Sequence, residues 1–70
     1  MGTHNLRPGD RVRVTRKNRL PGYLPGERGE VVAGPEAVAG SVLRYYLVAM
    51  EREFGPASAV FAADEIEPDG

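Results

Sequence analysis

Proline and glycine punctuate this chain so densely that helix cannot be its main content. Six prolines and nine glycines are spread over 70 residues, and the stretch Asn18 to Val32 alone holds two Pro-Gly steps, Pro21-Gly22 and Pro25-Gly26. Proline removes a backbone donor and glycine weakens a helix interior, so strands and turns are what such a sequence can complete.

The strands announce themselves by alternation. After the turn Leu6 to Asp10, the run Arg11 to Arg16 sets Val12 and Val14 on one face and Arg11, Arg13 and Thr15 on the other, the two-residue period of a half-buried strand. Lys17 to Arg28 reads as a long loop, and Gly29 as a pivot into a second strand, Glu30 to Ala33. Residues 34 to 41 read as a connection with one helical turn at most. Val42 to Met50 is rich in strand formers and apolar on both faces, which marks a central strand without settling which face is buried. Glu51 to Pro56 extends that strand or forms a hairpin tip, and Ser58 to Ala62 is a fourth strand. Ala63-Asp64-Glu65 fits a tight helical turn, Ile66 to Pro68 a fifth strand, and Asp69-Gly70 a loose end. The expected fold is all-β: one small five-stranded SH3-like barrel over residues 1–70, ordered over about 6–68, with Val12, Val14, Val31, Leu47, Phe61 and Ile66 in its core.

Size and composition narrow the function classes. A 7.6 kDa chain has room for one small core and little for an enclosed substrate cavity. The absence of cysteine removes disulfides, thiolate nucleophiles and cysteine-based metal sites. The opening residues show no apolar segment followed by a cleavage site, and no apolar run approaches a membrane span of about 18 residues; the expectation is a cytoplasmic protein without membrane contact. Charge is divided unevenly. Residues 1–30 hold seven Arg or Lys against three Asp or Glu, and residues 31–70 hold two against seven. That polarity either orients encounters with a charged partner or is neutralised internally between the first and last strands.

The order of motifs resembles the SH3-like barrel domain of the nitrile hydratase beta subunit and its small accessory relatives. The similar pieces are Gly9 to Val14, Leu20 to Val31, Tyr46-Leu47-Val48, Glu53-Phe54-Gly55 and Asp64 to Pro68, together spanning nearly the whole chain. More distantly, the opening and the closing Phe61 to Ile66 are similar to the small barrel protein of photosystem I and the variable chain of ferredoxin–thioredoxin reductase. The loop lacks the histidine–arginine pair that often precedes the proline–tyrosine segment in the nitrile hydratase relatives. In these families the barrel packs on, or shapes the docking surface of, a larger redox or metal-containing assembly, so the resemblance implies an accessory role.

Candidate sites follow from exposed strand faces and from the proline-restricted loop. Tyr23 and Leu24 either cap the open end of the barrel or present an anchor to a partner at reduced entropic cost, with Arg19 and Arg28 around the contact. Tyr45 stands opposite Tyr46 on the central strand. In the phase that buries Tyr46, Val48 and Met50, it joins Leu43, Leu47 and Ala49 on an apolar surface suited to dimerisation. Phe54 plugs a hairpin tip or meets another chain. These residues suit a noncatalytic accessory, assembly or scaffold module whose partner is another protein or a second copy. The alternative is a nucleic-acid-binding barrel of a translation- or transcription-associated protein, using Arg11, Arg13, Arg16, Lys17 and Arg19 to meet phosphates and Tyr23 to stack on a base. His4 has no positioned neighbour, the carboxylates form no recognisable catalytic pair, and the glycine-rich loop lacks the ending and following helix of a phosphate motif. No catalytic residue, metal ligand or cofactor is assigned.

Overall fold

A computed structural model of the chain describes residues 6–69; His4 and Gly70 lie outside them. The expected all-β class is present. Five strands, β1 (Arg11–Val14), β2 (Arg28–Ala37), β3 (Arg44–Met50), β4 (Ala57–Ala62) and β5 (Ile66–Pro68), form one antiparallel sheet, with a single 3-10 turn, Ala63–Glu65, before β5. The strand order is β4-β3-β2-β1-β5. Among the described residues no helix is long and apolar enough to cross a membrane.

Alternation decides which side chains enter the core. Val12 and Val14 of β1, Val31 of β2, Phe61 of β4 and Ile66 of β5 are all buried, as the two-residue period requires. On β3 the phase that buries Tyr46, Val48 and Met50 is the one adopted, because register places Val48 between Val31 and Ala59, both inward-facing. Leu47, expected in the core, is therefore only half-buried on the outer face, where its neighbours are Ala33 and Val60. Leu6 joins the core from the turn ahead of β1.

Several boundaries move for identifiable reasons. β1 stops at Val14 rather than Arg16, because Thr15 folds the chain back: its carbonyl accepts from Asn18 N–H at 3.2 Å and its hydroxyl from Lys17 N–H at 3.2 Å. β2 is much longer than expected. Gly34 and Pro35, read as the start of a connection, are absorbed as irregularities within the strand, with register shifts between Val31 and Ala33 and between Ala33 and Glu36. Gly34 makes this possible. Its φ is +118°, and a Cβ there would stand 2.8 Å from Tyr45 O, so the bend needs the one residue without a side chain. β3 begins at Arg44 rather than Val42, since the Val38–Ser41 turn bond at 3.0 Å makes residues 38–43 the hairpin tip. Asp69 is not a loose end: its N–H donates to Arg11 O at 3.0 Å, extending the β5 ladder.

Gly29 has a different role from the pivot expected of it. It lies buried where β2 sits between β1 and β3, and a Cβ there would meet Ala49 O at 2.6 Å and the side chains of Met50 and Val48 at 2.9 Å. The approach of β2 to β3 depends on the missing methyl. Gly29→Ala is expected to lower the unfolding free energy by about 1–3 kcal/mol, the usual cost of overpacking, read from the urea midpoint at unchanged slope.

Candidate functional site

The long loop between β1 and β2 lies down on the core of the sheet. Asn18 organises its first half: its Nδ2 donates to Leu20 O at 3.0 Å and Tyr23 O at 2.9 Å, while its Oδ1 accepts from Leu20 N–H at 2.9 Å. This short-range clasp turns Leu20 and Tyr23 inward, and both pack against the core. The Tyr23 ring meets Phe61 edge-on with centroids 5.4 Å apart, and the Arg52 guanidinium covers it at 4.2 Å from the ring centre. Arg52 also donates to Gly22 O at 2.7 Å and pairs with Glu27 at 3.2 Å. Tyr23 thus has the geometry of a cap. Leu24, next to it, is 71% exposed.

Beneath the loop sits Glu65, the one buried charged residue among those described, at 6% exposure. Its Oε1 accepts from Ala62 N–H at 2.7 Å and its Oε2 from Arg19 N–H at 2.7 Å, with the Arg19 side chain 3.5 Å from the same oxygen. Both carboxylate oxygens are used, so the arrangement fastens the loop to the 3-10 turn and leaves no oxygen directed at a substrate.

The basic residues of the first half meet the acids of the second. Arg11 pairs with Glu51, Arg13 with Glu67 at 2.6 Å and Asp69 at 3.8 Å, Arg19 with Asp64 at 2.9 Å, and Arg28 with Asp69 at 3.4 Å. The hydrogen bond that Arg13 donates to Glu67, together with the Glu67 charge, raises the Arg13 pKa, and the hydrogen bond that Arg19 donates to Asp64 does the same for Arg19. Three of the five cations expected to meet phosphate are therefore already facing carboxylates. Arg16 and Lys17 are exposed and have no ion pair among the described residues. Both border a shallow cleft of about 330 Å³ that Asp64 and Glu67 also line, and Arg16 borders a second, of about 370 Å³, with Arg13 and Glu67.

The outer face of β2, β3 and β4 is different in character. Ala33, Leu47 and Val60 form one cross-strand row, and Glu36, Tyr45 and Ala62 the next. All of these except the buried Ala62 border, with Tyr46 and with Val38 from the hairpin tip, a groove of about 560 Å³ in which, among the described residues, Glu36 is the only charged one. Val60 is 55% exposed. Tyr45, singled out from the sequence, stands in this groove, whereas Phe54 lies apart at the β3–β4 turn and is almost wholly exposed. Sequence reasoning passed over Val60 and Val38. The signal was available for Val60, which alternates with the buried Ala59 and Phe61 in a strand without a charge; for Val38 it was not, because its position depends on the bend at Gly34.

No family model, curated protein or solved structure matches this chain. The interior role of Tyr23 has a direct measure. Tyr23→Ala is expected to cost about 2–3 kcal/mol of stability through lost ring burial and edge-on contact, and Tyr23→Phe much less, both from denaturant unfolding. Glu65→Ala, which leaves two N–H groups without their acceptor, is expected to cost about 2–3 kcal/mol.

Proposed function

We propose that this chain is a noncatalytic protein-binding module, accessory to a larger assembly, whose contact surface is the outer face of β3 and β4. The observation that carries the reading is the row Ala33–Leu47–Val60 beside Tyr45: apolar side chains on the outer sheet surface, bordering an open groove with a single charge among the described residues. Exposed apolar surface of this kind, set among charged neighbours, is the usual mark of a protein contact. The strand order and the 3-10 turn before β5 support the resemblance to barrel domains that pack on larger enzymes. Tyr45 is the residue on this face from the set expected to contact a partner; Leu24 and Phe54 are exposed but lie outside the groove. Tyr23, Arg19 and Arg28 have internal partners and serve the module by holding its shape.

A second reading, nucleic-acid binding, rests on Arg16 and Lys17. Two cations beside clefts that also contain carboxylates supply far less phosphate neutralisation than the five the sequence offered, so this reading is the weaker.

A photo-crosslinking residue placed at Val60 in the full chain is expected to form covalent protein adducts in native extract, and the same residue at Lys17 to form few. Val60 giving no adduct overturns the proposal. Titration of RNA and DNA at low salt is expected to show no binding that Arg16→Ala with Lys17→Ala removes; binding that this pair abolishes favours the second reading.

A further inference from the structure

The two edges of the sheet are unequal. β5 ends one side with three residues, of which Glu67 is charged and Pro68 has no N–H, devices that keep a strand edge from pairing with another chain. β4 ends the other side with six residues, Ala57-Ser58-Ala59-Val60-Phe61-Ala62, containing no charge, proline or glycine. Nothing in β4 itself discourages a further strand.

The ladder shows which backbone groups are open. Glu51 N–H donates to Arg28 O, so β3 turns its odd-numbered backbone groups toward β2 and its even-numbered ones toward β4. Even-numbered β3 residues stand opposite odd-numbered β4 residues, which leaves the N–H and C=O groups of Ser58, Val60 and Ala62 facing outward. The Ala62 N–H agrees, since it is taken by Glu65 at 2.7 Å. Pro56, just before the strand, has no N–H to offer. The outward donors of β4 are therefore those of Ser58 and Val60, and both residues are exposed.

From this we infer that the partner of the β4 edge is a second copy of this chain, paired antiparallel about a two-fold axis at Ala59. The inference rests on the protein-binding reading above and names the occupant of the β4 border of that surface. In this register Ser58 faces Val60 of the other copy, and Val60 its Ser58. The four resulting hydrogen bonds use both free donors of each edge. No charge is brought opposite another along the strand, and the small Ala59 side chains at the axis allow close approach. The blocked β5 edge excludes a head-to-tail chain of β4-to-β5 contacts, so the assembly closes as an isologous dimer. Each β3–β4 turn, with its exposed Phe54, runs toward the 3-10 turn of the other copy. A six-residue strand pairing belongs at the small end of specific interfaces, below about 1,200 Å² in total, and the dimer is accordingly concentration-dependent.

Sedimentation of the purified full chain over a rising concentration series tests this. The wild type is expected to move from 7.6 kDa to twice that mass. Val60→Pro removes an outward donor without touching the β3–β4 ladder and is expected to remain folded and monomeric throughout; Ser58→Lys places a charge on the same edge and is expected to do likewise. Val60→Thr retains the N–H and the branched shape and is expected to dimerise. A wild type that stays monomeric at every concentration overturns the inference, as does dimerisation of folded Ser58→Lys at wild-type concentrations. If the wild type is monomeric while the Val60 crosslinker captures other proteins, the dimer is wrong and the protein-binding reading stands; if the crosslinker captures nothing as well, both fall.

Discussion

Glu65, through its carboxylate and its backbone carbonyl, joins three separated parts of the chain. One oxygen closes the end of β4 through Ala62, the other holds the start of the long loop through Arg19, and the Glu65 carbonyl accepts from Thr15 N–H at 2.9 Å just beyond β1. Thr15 adds a second tie, its hydroxyl donating to Asp64 O at 2.8 Å. Burying a carboxylate is costly unless its oxygens are occupied, and here backbone donors from two separated segments occupy both. The loop descends onto the core from this point, and Asn18, Leu20 and Tyr23 follow in order.

Charge segregation along the sequence becomes charge pairing in space. The antiparallel neighbours of β1 are β2 and β5, so Arg13 stands beside Glu67 and Asp69 as a consequence of topology, while Arg11 meets Glu51 just past β3. Pairs this exposed contribute modestly to stability and weaken with salt. Their larger effect is on the outer field of the molecule, which lacks the long basic stripe that the composition of residues 1–30 suggests.

Local pattern carried most of the fold and less of the surface. Val12, Val14 and Ile66 could be placed in the core because they alternate with polar neighbours, Val31 and Phe61 because they stand within short strand-like runs, and Ala63 to Glu65 was legible as a helical turn from its length between two strands. The phase of β3 was not legible, since both of its faces are apolar and only pairing with β2 and β4 decides between Tyr46 and Tyr45. Leu47 was misplaced for that reason. The reach of β2 through Gly34-Pro35 was hidden because the same residues that signal a turn also permit a bulge. Glu65 was visible only as one acid among three near the terminus; its burial depends on the Arg19 N–H, 46 positions away in the chain.

The bend at Gly34 divides β2 into two mechanically different halves. Before it, the strand is clamped on both sides, by β1 through Arg28 to Glu30 and by β3 through Gly29 to Val31. Beyond it, Glu36 and Ala37 are tied to β3 alone and lead into a tip that carries the fully exposed Val42. Amides of the first half should exchange with solvent only when the whole domain opens, and those of the second through fraying of the hairpin by itself. The arm past Gly34 is then the part of this protein where residues can be inserted or exchanged while the rest of the sheet keeps its pairing.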